Sequence, residues 1–289
     1  MNDNDTRPER LPRTYLYVPG DRPARFGKAI ASGADAVIFD LEDGVTQSKK
    51  GAAVENVAAL LAQPQQVSCW VRLDNHRWAD DLPKLVGRGL RGVVVPKAES
   101  GAQITVVASA LEAAESAAGL QIGSIRITPL VESPAGVAAL AELVVAPRVL
   151  RLGMGEADLR AALLLRQRAD GLELLYVRSQ VVLASAVAGI APPIASTSTD
   201  FRDLDALARS TQLLRDLGFS ARTAIHPAQL PVVLAALAPS PEELTQARAI
   251  LAAYDGAQSY ASGVSTVDGS LVDLAVVRAA RALLASADE

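Results

Sequence analysis

Two carboxylates in this sequence follow apolar runs at the point where a helix would begin. In "ITPLVESPAGV", residues 127–137, a strand-like run stops at Glu132, and Ser133 and Pro134 have the residue types of a helix cap and a first helical position. Asp158 follows a similar run in "GMGEAD". Two such carboxylates, without a Cys or His cluster, match a hard divalent cation, Mg²⁺ or Mn²⁺, whose remaining ligands are water and substrate. Because an Asp before a helix is also a common N-cap, Asp158 carries both interpretations.

Charged side chains follow other apolar runs as well. Arg72 has a planar guanidinium that can bind a carboxylate through two hydrogen bonds or stabilise a developing oxyanion. A salt bridge with a neighbouring acid is its alternative role. Lys97 has the same two interpretations, with Glu99 or Glu42 as its partner. Glu42 and Asp43 are consecutive and point in different directions, so we expect one at the site and the other in a structural role.

The remaining polar positions give weaker signals. Pro19 and Gly20 lie in the loop after the first apolar run, where backbone amides could approach a ligand. The two histidines, His76 and His226, have no recognisable Ser or Cys nucleophile, so a Ser-His-Asp triad has little support.

Eight runs rich in Val and Ile alternate with segments of helical spacing. The predicted strands are "TYLYVP", "DAVIFDLE", "VSCWVRLD", "GVVVPK", "IRITPLVE", "VLRLGMG", "PPIAST" and "RTAIHP". The helical segments include residues 23–32, 48–61, 103–118, 134–145, 159–188 and 203–217. This alternation predicts an α/β protein with a (β/α)₈ TIM barrel, in which the residues above meet at the C-terminal ends of the strands. Because periodicity does not reveal closure, an open doubly wound sheet is the alternative.

The two ends of the chain break this pattern. Residues 1–12 are polar and predict a mobile tail, and residues 13–238 form the predicted barrel domain. Residues 239–289 predict an appendage of helix, hairpin and helix. Its first helix begins with a capping box of Ser240 and Glu243, and Asp268 and Gly269 are the predicted hairpin turn.

Composition narrows the class of protein. The 289 residues are 50% hydrophobic and 4% aromatic, with a formal net charge of −4, so nucleic acid and anionic membranes are not expected partners. A small-molecule substrate fits better. Cys69 is the single cysteine, which excludes a disulfide framework and predicts an inert buried thiol. We find no signal-peptide pattern and no apolar stretch long enough to span a bilayer, and expect a cytoplasmic protein.

Six motifs in order resemble a known family. They are "YLYVPGDRPARFGKAIASGADAVIFDLEDGV", "VVVPKAES", "ITPLVESPAGV", "GEADL", "AIHPAQ" and "VDGSLVD". Together they are similar to the citrate lyase beta subunit-like group of the HpcH/HpaI aldolase superfamily, over residues 15–284. The resemblance implies a TIM barrel of the phosphoenolpyruvate/pyruvate-binding type that binds Mg²⁺ and makes or breaks a carbon–carbon bond between a 2-oxo acid and a CoA thioester.

The resemblance also implies roles for residues. Glu132 and Asp158 fall on the metal ligands and Arg72 on the substrate-binding arginine. Asp273 falls on an aspartate that reaches a neighbouring subunit's site, which implies a homo-oligomer, commonly a trimer, with the appendage packed on a neighbour. We therefore expect Arg72, Asp273 and Glu42 to be catalytic residues. Lys97, Pro19 and Gly20 join Arg72 as expected substrate-binding residues.

Two departures from the family pattern bear on the site. The run after Arg72, "RLDNHRWADDL", lacks the glycine-containing loop of many relatives, so the identity of the oxo acid is open. In "GEADL" one residue separates Glu156 from Asp158, and we interpret Glu156 as a loop residue. Arg22 and Arg25 could contact coenzyme A phosphates or form surface salt bridges.

The leading hypothesis is a Mg²⁺-dependent lyase for a citryl-, malyl- or citramalyl-CoA type thioester. One alternative is an aldolase that cleaves a 4-hydroxy-2-oxo acid without a thioester. A phosphoryl-transfer enzyme of the pyruvate kinase type would need a nucleotide site, and the sequence has no P-loop signature. A non-catalytic or complex-bound subunit is the remaining alternative.

Overall fold

The computed structural model describes residues 11–168, 170–259, 265–267 and 270–288. It contains a closed barrel of eight strands in the order β1 to β8, so the predicted TIM barrel is confirmed and the open sheet is wrong. All the strand pairs of the barrel are parallel. The strands are β1 Thr14–Pro19, β2 Ala36–Asp40, β3 Ser68–Arg72, β4 Leu90–Val95, β5 Arg126–Val131, β6 Gly153–Met154, β7 Ile194–Ala195 and β8 Ala221–Ala224. Each overlaps a predicted run, although β4 begins two residues and β8 one residue before its run.

Helices follow the strands along the chain. They are α1 Phe26–Ile30, α2 Lys50–Leu61, α3 Trp78–Leu85, α4 Gly101–Ala117, α5 Pro134–Ala138, α6 Leu140–Leu143, α7 Glu156–Ala162, α8 Leu175–Ala188, α9 Leu204–Asp216 and α10 Gln229–Leu237. The sequence did not predict α3 or α10. Both contain a proline, Pro83 and Pro231, a residue that disfavours a helix interior, and α10 is also apolar on nearly every side, so it shows no clean helical period.

The segment 159–188, predicted as one helix, is wrong as a single element. It contains the end of α7 and all of α8, separated by a loop. Leu164 and Gly171 have φ angles of 54° and 64°, a left-handed backbone through which an α-helix does not continue. The carbonyl of Gly171 accepts a hydrogen bond of 3.1 Å from Arg178 in α8, and this bond fixes the end of the loop.

Apolar side chains fill the inside of the barrel. Trp70 and Tyr15 pack edge to face, with ring centroids 5.9 Å apart, and the Trp70 indole donates to the Ser68 hydroxyl at 3.0 Å. Gly92 on β4 leaves the space that the indole occupies, because a Cβ there would overlap the ring. The side chains of Tyr15 and Trp70 fill the barrel interior, so the residues at the strand ends face a cavity that does not continue through the barrel.

A second apolar layer packs between the barrel and its helices. Cys69 belongs to it and is fully buried, and burial raises the pKa of its thiol to about 12. The prediction of a buried thiol is confirmed, and at neutral pH the thiol is protonated and a poor nucleophile.

A buried carboxylate joins α4 to the start of β5. The carboxylate of Glu115 accepts hydrogen bonds of 2.8 Å from the amides of Gly123 and Ile125, and Arg148 pairs with it at 2.7 Å. Burial raises the pKa of Glu115, but these hydrogen bonds outweigh burial and hold its pKa below the ordinary value of 4.5. We expect Glu115→Gln to lower the free energy of unfolding at pH 7 by about 3 kcal/mol, measured by urea denaturation.

The same pair predicts a pH dependence. Because the folded-state pKa lies below the unfolded value, the carboxylate stabilises the fold above pH 4.5 and loses this effect as the pH falls through the folded-state pKa. The gap between wild type and Glu115→Gln should therefore be largest near neutral pH and shrink in acid. Glu112→Gln, on the exposed side of α4, should change stability by less than about 0.5 kcal/mol. A gap that does not narrow in acid would contradict the assignment.

The chain divides into two compact units, the barrel unit of Pro12–Ala236 and a unit that begins at Leu237. The second unit contains α11 Pro241–Ser259, β9 Ser265–Val267, β10 Ser270–Val272 and α12 Leu274–Asp288. β9 and β10 pair antiparallel, and Ser240 and Glu243 form the predicted capping box through reciprocal bonds of 3.1 and 2.6 Å.

Some predicted features lie outside the described residues. They are residues 1–10 of the predicted tail and the hairpin turn at Asp268 and Gly269. Across the described part of the chain, no helix has the length and apolar character to cross a bilayer.

Candidate active site

The C-terminal ends of the barrel strands enclose a cavity of about 390 Å³. Its lining includes Arg72 at the end of β3, Glu132 after β5 and Asp158 in the first turn of α7. Tyr17 and Pro19 from β1 and the side chain of Arg25 complete that side of the mouth. The fold therefore brings three separately predicted site residues to one cavity.

Arg72 is held by two carboxylates from the end of β2. Its Nε and Nη2 donate to the two oxygens of Asp40 at 2.7 and 2.6 Å, and its Nη1 lies 2.8 Å from Oε2 of Glu42. Burial by itself lowers the pKa of Arg72, but the hydrogen bonds and charge of Asp40 outweigh it and keep the pKa above its ordinary value. The guanidinium is therefore a fixed, permanently charged group.

Asp40 in turn is fixed by the loop that follows it. The amides of Glu42 and Gly44 donate to its two oxygens, each at 3.0 Å. The ion pairing predicted as the alternative role of Arg72 is thus present, with the β2 acids as partners. These ion pairs leave part of the Arg72 guanidinium available to a ligand, because a guanidinium has five N–H groups and the contacts with Asp40 and Glu42 involve three.

Glu132 is buried, with 4% of its surface exposed, and accepts a hydrogen bond of 2.8 Å from the backbone amide of Lys97. Lys97 adopts a left-handed backbone, φ 45°, which turns this amide toward the carboxylate. Burial raises the pKa of Glu132 to about 7; the Lys97 amide opposes this, while the charges of Glu42 and Asp158 add to it. The buried carboxyl group of Glu132 is therefore close enough to Glu42 and Asp158 to feel their negative charge.

Asp158 is the third residue of α7, whose N-cap is Gly155. The interpretation of Asp158 as an N-cap is therefore wrong, because the helix begins two residues earlier. The side chain is exposed at the cavity, and no hydrogen bond or ion pair ties it within the described residues. It is thus available to a ligand.

Glu156 is not the loop residue that the sequence suggested. It begins α7 and is buried, where its carboxylate binds the guanidinium of Arg178 through two contacts of 2.8 Å and that of Arg160 at 3.0 Å. Arg178 belongs to α8, 22 residues after Glu156, so no local pattern in the sequence indicates this pair. Glu156 therefore anchors α7, and with it the position of Asp158.

Gly155 is required by the close approach of two strand ends. A Cβ at this position would lie 2.5 Å from both Cβ and Oε2 of Glu132. We expect Gly155→Ala to displace the Glu132 carboxylate and lower activity at least about tenfold, since misplacement of about 1 Å in a site can cost a hundredfold. The measurement is the Mg²⁺ concentration dependence of the steady-state rate.

Gly51→Ala is the matched control. Gly51 lies in α2, where a Cβ meets nothing within 4 Å, so the change should leave the rate within twofold and stabilise the helix by roughly 0.5–1 kcal/mol. Equal rates for Gly155→Ala and wild type would show that the position of Glu132 does not matter.

Several of the other predicted site residues do not line the cavity. Glu42 is buried behind Arg72, whereas Asp43 is exposed, and neither lines the cavity itself. The half-exposed Lys97 ammonium lies 3.8 Å from Glu42 Oε1 and does not line the cavity, although its backbone amide positions Glu132. The amide of Gly20 donates to the carbonyl of Asp40 at 2.9 Å, so it is not free to bind a ligand.

Asp273 lies in the second unit. Its carboxylate accepts hydrogen bonds of 2.8 and 2.9 Å from the amides of Ala275 and Val276, so within this chain it is the N-cap of α12.

Lys50 and Tyr17 were not among the predicted site residues. The buried ammonium of Lys50 pairs with Asp74 and donates to the carbonyls of Leu41 and Glu42 at 2.9 and 3.0 Å, which fixes the loop that carries Glu42. The ring of Tyr17 lies under the Arg72 guanidinium, 5.2 Å from its centre. The sequence does not indicate these roles, because a lysine at the start of a helix is usually exposed and a tyrosine is common in a strand.

The donor set fits a divalent cation. The single positive charge of Arg72 faces two carboxylates, Asp40 and Glu42, so it does not neutralise the site. In the described part of the chain, no cationic side chain lies within ion-pair distance of Glu132 or Asp158. Nor do the described residues contain a cluster of three or more His, Cys, Asp and Glu that could hold a metal by themselves. Two carboxylates with water and substrate are the ligand set expected for Mg²⁺.

Comparison with known proteins identifies the family. Residues 13–227 match the HpcH/HpaI aldolase/citrate lyase family. The chain belongs to this family. The predicted citrate lyase beta subunit-like enzyme, a lyase, is therefore confirmed. The whole of the family match lies within the barrel unit.

Relatives of this family match the chain over almost its full length. The citrate lyase subunit beta of Leuconostoc mesenteroides subsp. cremoris is 31% identical over 96% of this chain and 93% of its own. The (3S)-malyl-CoA thioesterase of Cereibacter sphaeroides is 30% identical over 96% of this chain and 94% of its own. The crystal structure of CitE from Mycobacterium tuberculosis, in complex with magnesium, acetoacetate and coenzyme A, has a TM-score of 0.80 at 32% identity, and the match covers 96% of this chain and 98% of that one.

Proposed function

We propose that the protein is a Mg²⁺-dependent carbon–carbon lyase that cleaves, or forms, a 3-hydroxyacyl-CoA thioester of the citryl-, malyl- or citramalyl-CoA type. Its products in the cleavage direction are a 2-oxo acid and an acyl-CoA. The observation that carries the proposal is the meeting of Glu132, Asp158 and Arg72 on one cavity. The magnesium and coenzyme A bound by CitE support it.

In this proposal Glu132 and Asp158 hold the Mg²⁺ ion, and Mn²⁺ could replace it. When bound, the metal supplies Lewis-acid polarisation of the 2-oxo carbonyl. Glu132 is oriented for this role by the Lys97 amide, and Asp158 by the Glu156 anchor of α7. Gly155 keeps the approach to Glu132 open.

Arg72 stabilises the oxygen that changes charge during cleavage. The N–H groups that Asp40 and Glu42 do not engage can donate to the hydroxyl oxygen of the substrate. As the proton of that hydroxyl passes to solvent, the bond to the α-carbon breaks, its electron pair goes to the thioester enolate, and the oxygen becomes that of the 2-oxo carbonyl. Because the two carboxylates fix the guanidinium in advance, no reorganisation is needed when the charge develops. Glu42, held against Arg72, tunes this charge.

The CoA part of the substrate would leave the cavity past β1. Arg25 lines the cavity with its exposed side chain and forms no ion pair among the described residues, so we assign it to an anionic group of the thioester. Arg22 lies 3.6 Å from Asp21 and is already paired. Pro19 lines the mouth beside them.

We further propose that the active enzyme is a cytoplasmic homo-oligomer, a trimer, in which Asp273 of one subunit exchanges the α-carbon proton in a neighbouring site. Arg72→Lys and Asp273→Asn should then each lose nearly all activity as homo-oligomers, about a hundredfold for Arg72→Lys. Co-expressed in equal amounts, they should regain activity at about a quarter of the sites, because one site in four combines two intact residues. Co-expressed subunits that form mixed oligomers but stay inactive would contradict shared sites.

The test of function is a product analysis. Malyl-, citramalyl- and citryl-CoA are incubated with enzyme with and without Mg²⁺, and thioesters and acids are separated by chromatography. A lyase forms an acyl-CoA and a 2-oxo acid in equal amounts, only with Mg²⁺. Free CoA and an intact hydroxy acid would instead indicate a thioesterase, the second candidate favoured by the Cereibacter sphaeroides relative. Cleavage confined to 4-hydroxy-2-oxo acids would indicate the thioester-free aldolase, and inertness on every substrate a complex-bound or non-catalytic subunit.

A further inference from the structure

A buried hydroxyl without a partner lies in the cavity wall. Thr128 on β5 is 1% exposed, and its Oγ1 has no hydrogen-bond partner within the described part of the chain. The residue lines the cavity that holds Arg72 and Glu132. A buried hydroxyl that makes no hydrogen bond costs free energy, so this one is a defect of the fold unless something else binds it.

Strand register places Thr128 beside the reacting groups. Asp40 pairs with Arg72 across β2 and β3, Arg72 with Val94 across β3 and β4, and Val94 with Thr128 across β4 and β5. Residues in register on neighbouring parallel strands point to the same face, and all four line the cavity. Two strand spacings, roughly 10 Å, separate Arg72 from Thr128, which leaves the width of a small acid between them.

Glu132 belongs to the same strand end. It follows β5 four residues after Thr128, and an even spacing along a strand keeps the two side chains on one face. The side chain of Thr128 therefore lies in the wall of the space that Arg72 and Glu132 also line.

Three other hydroxyls of the cavity wall, those of Ser196, Thr197 and Thr223, are already bonded within the protein. Oγ1 of Thr197 and Oγ1 of Thr223 are 2.6 Å apart, and Thr223 also lies 3.2 Å from the carbonyl of Ala195. Ser196 accepts from the amide of Glu156 at 3.2 Å. Val94, which is in register with Thr128, Leu130 and Gly153 are apolar members of the same cavity wall, and Oγ1 of Thr128 has no partner among the described residues.

We propose that Thr128 is a substrate-binding residue whose hydroxyl donates a hydrogen bond to an oxygen of the 2-oxo acid. This inference rests on the proposed function. The direction follows from the chemistry of the ligand, because an ionised 2-oxo acid such as pyruvate has carboxylate and carbonyl oxygens that accept and no group that donates. Binding of the acid thus supplies the partner that the fold lacks.

The test compares Thr128→Val, which has the same shape without the hydroxyl, with Thr128→Ser, which retains it. Pyruvate binding is measured by calorimetry at saturating Mg²⁺, and the Tm is measured without ligand. We expect Thr128→Val to weaken pyruvate binding roughly tenfold, the effect of one hydrogen bond to a charged acceptor, and to leave the Tm equal or higher. Thr128→Ser should bind pyruvate within about threefold of wild type, since it keeps the donor.

The Tm arm separates a ligand contact from a structural one. A lower Tm for Thr128→Val without ligand would mean that the hydroxyl has a resident partner, and would overturn the inference. Thr223→Val is the matched comparison, because its hydroxyl is bonded within the protein, and its Tm should fall.

The binding arm separates this inference from the proposed function. Wild type that binds pyruvate with Mg²⁺, together with Thr128→Val of equal affinity, would overturn the role of Thr128 alone. Wild type that binds none of pyruvate, oxaloacetate and glyoxylate at any Mg²⁺ concentration would overturn the proposed function and this inference together; if oxaloacetate or glyoxylate binds instead of pyruvate, the comparison of variants is made with that acid.

Discussion

Replacing Glu132 with Gln is expected to abolish Mg²⁺-dependent carbon–carbon cleavage, with a loss of roughly a thousandfold in rate. The amide lacks the charge that holds the cation, and a metal that polarises a carbonyl is worth several kcal/mol of transition-state stabilisation. The fold should not suffer. Glu132 is a buried carboxylate beside the like charges of Glu42 and Asp158, so a neutral side chain of the same shape relieves repulsion. Steady-state rates and urea denaturation without metal measure the two effects.

Asp43→Asn is the control for Glu132→Gln. Asp43 is an acid at the same end of the barrel, but it is exposed and does not line the cavity. Its variant should keep the rate within twofold. A Glu132→Gln variant that loses stability and activity together would instead make Glu132 a structural residue.

The second large effect is expected for Arg72→Lys, which should lower kcat about a hundredfold. An ammonium is a point charge and cannot reproduce the three contacts of the guanidinium with Asp40 and Glu42, and one removed oxyanion donor costs roughly 3 kcal/mol. The loss should appear in kcat more than in KM, because the donated N–H groups act on charge that develops in the transition state.

Arg77→Lys is the control for Arg72→Lys, because it makes the same substitution at an arginine outside the cavity. Arg77 pairs with Asp81 in α3 at 3.3 Å, with an exposed side chain, so its replacement should change rate and stability little. Arg72→Lys with full activity would show that any cation at this position suffices, and that the fixed guanidinium has no special role.

Local signals in the sequence were sufficient to predict the strands and to favour a barrel over an open sheet, and the structure shows the closure. The strands lie in short, mostly apolar runs, and the positions of these runs need no knowledge of distant partners. The cap of Ser133 on α5 was readable in the same way, and its hydroxyl accepts from the amide of Gly136 at 3.1 Å. Strand ends then indicated where the charged residues would meet, because the C-terminal ends of barrel strands share one face.

Contacts between residues far apart in the chain were not predictable in this way. Glu156 looked like a loop residue because its partner Arg178 lies 22 positions later, beyond a left-handed turn. The start of α7 at Glu156 depends on that pair, so the interpretation of Asp158 as a cap failed for the same reason. In the same way, only the register of β2 with β3 shows that Asp40, the last residue of β2, holds Arg72.

The most direct test of the account counts bound metal. Mn²⁺ binding is measured by electron paramagnetic resonance in the presence of pyruvate, for wild type, Glu132→Gln and Asp158→Asn. The account predicts about one tightly bound Mn²⁺ per wild-type chain and less than about a tenth of that in either variant, because two carboxylates supply all the protein ligands. Wild-type occupancy in both variants would contradict the assignment of the site.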